Sequence, residues 1–120
     1  MPKGIVKRVW TLDISLHNNY NIIMNDLLFE WDENKNAKNK AKHQISFEEA
    51  QTVFYDDNAI VIPDPDHSAF EERFIILGFS ANVRLLIVCH CYRSAESVIR
   101  IISARKANAR EARQYNELEV

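Results

Sequence analysis

The sequence predicts an α+β domain in which helices come early in the chain and a meander of strands follows. Two helix-start signals lie in the first half, and three apolar stretches at residues 73–79, 84–92 and 98–103 occupy the second half. The connections between these stretches are short. Because short connections favour hairpins, we expect an antiparallel, twisted sheet carrying two N-terminal helices and one C-terminal helix.

Composition limits the chain to one ordinary domain. It has 120 residues, of which 47% are hydrophobic and 27% are charged. No apolar run approaches the roughly 18 residues that a membrane span needs, so we expect no membrane contact. The two cysteines, Cys89 and Cys91, are too close together for a disulfide bond between them to link distant parts of the chain. A reducing, cytoplasmic location is therefore the natural expectation.

The first 23 residues form a separate question. Trp10 to Leu16 alternates apolar and polar residues, which is typical of a strand, and Met24 is a second plausible start of the protein. Residues 1–23 are thus either an appended strand or an upstream extension. We expect the domain itself to comprise residues 24–120.

Helix-start signals are clear in the first half of that domain. A short strand at residues 27–31 precedes Asp32, which is a good N-cap for a helix through His43. Ser46 and Glu49 then form a capping box that predicts a second helix.

The remaining elements follow from apolar runs and one further cap. A strand is expected at residues 59–63. Ser103 is expected to cap a last helix from Ala104 to about Leu118. Glu111 and Tyr115 are four residues apart and would share a face of that helix.

Charge is distributed unevenly along the chain. Residues 73–115 carry eight basic and two acidic side chains, whereas residues 1–72 carry seven basic and thirteen acidic ones. A basic half of this kind predicts a phosphate-binding face. A solvated mixture of charges would give the same count, so charge alone leaves both interpretations open.

Arg100 lies in the middle of an apolar strand, where a charge needs a partner. One interpretation is a buried pair with a carboxylate such as Glu71 or Glu72. The other is an anion site, in which guanidinium groups of neighbouring strands converge on a phosphate. Three further arginines at strand or helix ends are candidates for that site: Arg73, Arg84 and Arg105.

Two histidines are candidates for proton transfer. His90 lies on the opposite strand face from Cys89 and Cys91, and is either a structural group or a catalytic one. His67 lies in a polar loop, where it could titrate near neutral pH. Because His90 and the two thiols point in opposite directions, we expect no metal site, and the absence of a glycine-rich phosphate loop predicts no cofactor. Histidines, arginines and a tyrosine suffice for metal-free cleavage of a phosphodiester.

An ordered set of short blocks runs from about Leu27 to Tyr115. The blocks are Phe29 to Asp32, Lys42-His43, Ser46 to Ala50, Val53-Phe54, Asp64 to Ser68, Glu71 to Arg73, Gly78, His90, Arg93, Ile99 to Arg105, Glu111 and Tyr115. Together they resemble the BrnT toxin family, and Ile99 to Arg105 is the most specific block. Gln44 stands where that family usually has glycine, so we expect the first helix to end without a left-handed residue.

The resemblance implies a RelE-like fold and a ribonuclease toxin of a type II toxin-antitoxin system. Such a toxin restrains bacterial growth by cleaving RNA, on or off the ribosome. It implies as partner a BrnA-type antitoxin with a ribbon-helix-helix DNA-binding part. The toxin would be neutralised in a tight complex, and the complex would repress its own operon, so DNA would be contacted only through the antitoxin.

The resemblance also implies roles for particular residues. Four arginines would surround the scissile phosphate, with Arg100 the most central: Arg73, Arg84, Arg100 and Arg105. His90 or His67 would transfer the proton, and Tyr115 would stack on a base, act as an acid or simply pack on the sheet. Three lysines would hold the RNA backbone: Lys38, Lys40 and Lys42. The main alternative is a binding module that uses the same arginines to hold nucleic acid or an acidic partner without cutting.

Overall fold

The computed structural model describes residues 5–12, 24–64, 71–93 and 97–118. These residues form six strands: β1 (Ile5–Leu12), β2 (Met24–Trp31), β3 (Ile60–Pro63), β4 (Phe74–Phe79), β5 (Leu85–Arg93) and β6 (Val98–Lys106). The helices are α1 (Glu33–His43), α2 (Phe47–Ala50) and α3 (Ala109–Leu118), and a 3-10 turn at Gln51–Tyr55 continues α2. The α+β class is confirmed.

The six strands form one sheet in the order β1-β2-β6-β5-β4-β3. The expectation of an antiparallel sheet is wrong at one junction, because β2 and β6 run parallel over Leu28–Glu30 and Val98–Arg100. The chain leaves β2 through the helices and the meander and returns beside it, which is the long crossover that a parallel pair requires. β1 pairs with the whole length of β2. Residues 13–16 of the predicted first strand lie outside the described residues, and the boundary at residue 23 stays a prediction.

Helix α1 begins and ends where the sequence predicts. The Asp32 side chain accepts a hydrogen bond from the backbone N–H of Asn34 at 2.8 Å. Gln44 itself takes the left-handed conformation, with φ of 60°, and its N–H donates to the carbonyl of Lys40 at 2.9 Å. The expectation that α1 ends without a left-handed residue is therefore wrong, because the cap geometry is retained without glycine.

A polar side chain attaches α1 to the sheet. Asn39 donates to the carbonyl of Ala104 at 2.8 Å and accepts from the N–H of Ala104 at 3.1 Å. It also donates to the carbonyl of Ile45 at 2.8 Å. β6 pairs with β2 only over Val98–Arg100, so no backbone of β2 lies beside Ala104. The Asn39 side chain supplies the hydrogen bonds to the Ala104 backbone that a neighbouring strand would otherwise supply. The last turn of α1 is thereby held beside β6.

The main core lies between the sheet and the α1–α2 segment. Its largest fully buried members are Phe29, Trp31, Ile45, Phe47, Leu86 and Ile101. The predicted N-cap is present, because the N–H of Glu49 donates to the Ser46 hydroxyl at 3.0 Å, while the Glu49 carboxylate accepts from Ser80 and Arg84. A smaller cluster on the opposite face of the sheet joins Leu77 and Ile87 to Tyr115 of α3.

The last helix begins later than predicted. Strand pairing continues as far as Lys106, which lies opposite Leu86, so Ser103 is a strand residue and not a cap. The cap is Asn108, whose side chain accepts from the N–H of Glu111 at 2.8 Å. The carboxylate of Glu111 in turn accepts from the N–H of Asn108 at 2.8 Å, which completes a capping box.

Candidate active site

A cleft of about 320 Å³ opens on the face of the sheet that is turned away from the main core. Its polar lining comes from six residues: His43, Asp64, Arg73, Cys89, Ser103 and Arg105. Its apolar floor includes Ile75 and Ile87. We call this site the arginine cleft, since guanidinium groups and an imidazole meet in it.

Strand register explains why these side chains share a face. Arg105 lies directly opposite Ile87, and Ser103 directly opposite Cys89, so all four point to the same side of the sheet. The register of β5 and β6 shifts between Cys89 and His90, which leaves Ile102 as an extra residue. Bulges of this kind re-aim side chains next to functional sites.

Arg105 is held by a carboxylate and remains accessible. Both of its terminal nitrogens donate to Glu111, each at 2.9 Å. The hydrogen bonds from Arg105 lower the pKa of Glu111, so the carboxylate is charged and the pair is an ionic one. The side chain of Arg105 is still 42% exposed. It is therefore oriented in advance and open to an anionic ligand.

Arg73 approaches the cleft from the segment before β4. Its carbonyl accepts from the N–H of Asp64 at 2.8 Å, and its Nε lies 3.5 Å from a Glu71 oxygen. The Cys89 thiol lies 3.7 Å from Asp64 Oδ2. Burial, and then the charge of Asp64, raise the pKa of Cys89 to about 11. The thiol thus stays protonated and is a poor nucleophile.

His43 is the functional candidate that sequence reasoning missed. It is the last residue of α1, it is half-buried, and it lines the arginine cleft together with Arg73 and Arg105. An imidazole is the side chain suited to proton transfer near neutral pH. The Lys42-His43 block was the one feature of the sequence that pointed to His43. The position of His43 in the cleft depends on the docking of α1 on the sheet through Asn39.

Arg100 lies on the same sheet face, yet it is not among the residues that line the cleft. Its Nη1 donates to Glu30 Oε2 at 2.6 Å. The structure therefore shows the carboxylate pair that was one of the two interpretations, with Glu30 in place of Glu71 or Glu72. The partner was missed because Glu30 stands opposite Arg100 only in the parallel pairing of β2 with β6.

Arg84 lies on the other face of the sheet. Its Nε donates to Glu49 Oε2 at 2.9 Å, and its Nη2 donates to Glu49 Oε1 and, at 3.1 Å, to the carbonyl of Gln44. The hydrogen bonds from Arg84 lower the pKa of Glu49. Arg84 joins α2 to the start of β5, and the structure does not bring it to the cleft.

Replacing Arg84 is expected to lower stability. Arg84→Ala leaves the buried Glu49 carboxylate without its ionic partner, so we expect the free energy of unfolding to fall. Urea denaturation of Arg84→Ala, Glu49→Ala and the double variant measures the coupling between the two residues. Strict additivity of the two single losses would contradict this role.

His90 is fully buried in the main core. Its ring packs edge-on against Phe54, with a centroid distance of 4.8 Å, and it also contacts Phe74. Its Nδ1 lies 3.2 Å from the carbonyl of Val88 and its Nε2 lies 3.3 Å from the Tyr92 hydroxyl, which fits a neutral ring that donates from Nδ1. Burial lowers the pKa of His90 to about 4. It lies on the opposite face of the sheet from the arginine cleft.

The buried imidazole predicts a pH-dependent stability. The pKa of His90 is about 4 in the folded chain and 6.5 for an ordinary histidine, so the unfolded chain binds an extra proton between these values. His90 stabilises the fold fully above pH 6.5, and about 3 kcal/mol of that stability is lost as the pH falls toward 4. Urea denaturation at pH 7, 6 and 5 should show that the free energy of unfolding depends less steeply on pH in His90→Phe than in the wild-type chain. Equal slopes for the two proteins would contradict the assignment.

The other predicted residues fall into three groups. Tyr115 is buried, donates to Asp56 Oδ2 at 2.7 Å and packs edge-on against Phe79, so it is packed on the sheet. His67 lies outside the described residues. The three lysines are exposed along α1, the helix whose last residue enters the cleft: Lys38, Lys40 and Lys42.

Metal clusters and membrane-spanning helices are both absent from the described ranges. In residues 5–12, 24–64, 71–93 and 97–118, no three His, Cys, Asp or Glu side chains come together as a metal site would require. None of the helices in that part of the chain is long and apolar enough to cross a membrane.

Comparison with known proteins assigns the chain to a family. The family model described as "Ribonuclease toxin, BrnT, of type II toxin-antitoxin system" matches residues 31–111. The chain belongs to the BrnT family. The matched span begins with the last residue of β2 and includes the whole arginine cleft. BrnT proteins are ribonuclease toxins of type II systems, a class that acts on RNA and has an antitoxin partner.

A solved structure supports the BrnT fold. The crystal structure of the Brucella abortus ribonuclease toxin, BrnT, is 24% identical in sequence and gives a TM-score of 0.51. The match covers 65% of this chain and 92% of that one. No curated protein matches this sequence.

Proposed function

We propose that this BrnT chain is a metal-independent, RelE-like endoribonuclease and that the arginine cleft is its catalytic site. The observation that carries the proposal is the meeting of His43, Arg73 and Arg105 in one accessible cleft. By contrast, His90 is buried in the core and Arg84 is bound to Glu49 of α2, and both lie on the other side of the sheet.

The chemistry needs a proton acceptor and positive charge at one phosphate. His43 would take the proton of the ribose 2′-OH as the 2′-oxygen attacks phosphorus. The bond from phosphorus to the 5′-oxygen breaks, and the leaving oxygen takes a proton from solvent. Arg73 and Arg105 would stabilise the charge that develops on the phosphate oxygens. The products are a 2′,3′-cyclic phosphate and a free 5′-hydroxyl.

Residues outside the cleft would hold the flanking RNA. Arg100 shares the sheet face with the cleft but is paired with Glu30, so we assign it to a neighbouring phosphate and not to the scissile one. The exposed lysines of α1 would track the RNA backbone as it leaves His43: Lys38, Lys40 and Lys42. Contacts of this kind make binding salt-dependent.

We further propose that a BrnA-like ribbon-helix-helix antitoxin neutralises the chain in the cytoplasm. The toxin domain would be residues 24–120, with β1 as an addition to the sheet edge at β2. The support is the type II class of the family together with an accessible cleft, lined by two arginines, that a bound protein could cover. DNA would be contacted through the antitoxin alone.

Cleavage of an end-labelled RNA in EDTA tests the proposed activity. We expect the purified chain to give products that end in 2′,3′-cyclic phosphate, and Arg100→Ala to slow cleavage by about tenfold or less. Parallel reactions with mRNA on ribosomes show whether the ribosome is needed. RNA that stays intact in both reactions while binding in a salt-sensitive way would overturn the proposal in favour of a binding module.

A further inference from the structure

Strand β1 lies before the part of the chain that the family model matches. The match begins at Trp31, whereas β1 spans Ile5–Leu12 and pairs antiparallel with β2 along its whole length. β1 is the first strand in the order of the sheet, next to the β2–β6 pair that holds Arg100. The catalytic chemistry proposed above uses no residue of β1, so this strand is available for another role.

Strand register assigns alternate residues of β1 to the sheet face that holds the arginine cleft. Glu30 of β2 pairs with Arg100 of β6 on one side and with Val6 of β1 on the other. The ion pair of Glu30 with Arg100 lies on the face of the cleft. By alternation, every second residue of β1 counted from Val6 belongs to the same face. These residues are Val6, Arg8, Trp10 and Leu12.

Arg8 continues a line of arginines that crosses the sheet from the cleft. Only β2 separates β6 from β1, so these two strands run about 10 Å apart. Arg8 stands two residues beyond the level of Arg100, on the side away from Arg105, which puts the Cα atoms of Arg8 and Arg100 roughly 12 Å apart. An RNA strand that leaves Arg105 and passes Arg100 would reach Arg8 next and Trp10 after it.

We infer that β1 extends the RNA-binding surface of the arginine cleft, with Arg8 on a backbone phosphate and Trp10 stacked on a base. The inference rests on the proposed ribonuclease function, because RNA is the ligand that the cleft is proposed to hold. Proteins that bind single strands combine cations along the path of the backbone with aromatic side chains on which bases stack. This face of β1 supplies one residue of each kind. Its continuity with the cleft, together with the charge of Arg8, selects single-stranded RNA as the occupant.

The position of β1 predicts that its contribution depends on the length of the RNA. An RNA of about three nucleotides that is bound at Arg73 and Arg105 is too short to reach β1, whereas one of about 12 nucleotides spans both places. The strand would therefore increase the affinity for long single strands and leave the affinity for short ones unchanged.

Two adjacent cations provide a matched test. Arg8→Gln removes a charge from the cleft face, and Lys7→Gln removes one from the other face, to which Lys7 belongs by its pairing with the buried Phe29. Fluorescence anisotropy measures binding of a 2′-O-methylated RNA, which cannot be cleaved through its 2′-oxygen. With the RNA of about 12 nucleotides, Arg8→Gln should reduce the slope of log affinity against log salt by about 0.7, and Lys7→Gln should leave it unchanged. Trp10→Leu should bind this RNA about tenfold more weakly with an unchanged slope.

The outcomes separate this inference from the proposed function. Equal salt slopes for Arg8→Gln and Lys7→Gln would overturn the role of β1 alone, and so would equal weakening of the short and the long RNA by Arg8→Gln. Arg8→Lys keeps the charge and should retain the wild-type slope. A loss of stability to urea in Arg8→Gln with a wild-type slope would assign Arg8 to a structural ion pair and overturn the inference. Failure of the wild-type chain to bind either RNA would overturn the proposed function as well.

Discussion

His43→Asn is expected to lower the rate of RNA cleavage by about 10²- to 10⁴-fold, because the variant removes the imidazole that lines the arginine cleft. Asparagine keeps a hydrogen-bonding side chain of similar reach but cannot exchange a proton near neutral pH. His43 is half-buried at the end of α1 and belongs to neither core cluster, so the fold should persist. Single-turnover cleavage of an end-labelled RNA measures the effect.

The matched control for His43→Asn is Lys35→Asn. Lys35 is exposed on the same helix, roughly two turns before His43, and does not line the cleft. The Lys35→Asn variant should cleave RNA at close to the wild-type rate. A His43→Asn variant that retains the wild-type cleavage rate would remove His43 from the mechanism.

Arg105→Gln is expected to lower the cleavage rate by about 10²- to 10³-fold, through loss of charge at the developing phosphorane. Asn108 continues to cap α3 in this variant, so the free energy of unfolding should change by about 1 kcal/mol or less. Glu111, freed of its partner, adds a negative charge to the cleft and contributes to the loss of rate. Single-turnover cleavage and urea denaturation, taken together, separate the two effects.

Arg110→Gln is the control for Arg105→Gln. Arg110 is exposed on the first turn of α3 and carries the same charge, but it does not line the cleft. Its replacement should leave the cleavage rate within about threefold of wild type. Equal losses in the two variants would mean that general positive charge, and not a guanidinium in the cleft, supports cleavage.

Local signals in the sequence were sufficient for most of the elements. Asp32 and Ser46 each carry a side-chain oxygen at a helix start, and both form the caps that the sequence predicts. The start of α3 was misplaced because Ser103 and Asn108 are both good caps, and only strand pairing decides between them. Asn108 forms the cap because it lies beyond Lys106, the last residue of β6 that pairs with β5.

The arrangement of the site depended on contacts between distant parts of the chain. The parallel pairing of β2 with β6 places Glu30 beside Arg100, and no local pattern encodes that pairing. His43 reaches the cleft only because Asn39 holds α1 to Ala104. Nothing in a window of neighbouring residues distinguishes such a histidine from any other at a helix end.

The placement of Arg84, in contrast, follows from strand alternation alone. Arg84 immediately precedes β5, and a period of two puts it on the same side of the sheet as His90, where it is bound to Glu49 of α2. The same alternation puts Cys89 on the other side, in the arginine cleft. Strand alternation alone is therefore sufficient to place Arg84 on the opposite side of the sheet from Cys89.

The most direct test of the catalytic assignment is a crystal structure of the chain with a short RNA whose scissile ribose is 2′-deoxy and so cannot be cleaved. The central phosphate should lie between Arg73 and Arg105, with the His43 imidazole at about 3 to 4 Å from the 2′-carbon. A phosphate bound beside Arg84, on the opposite face of the sheet, would contradict the assignment of the arginine cleft as the catalytic site.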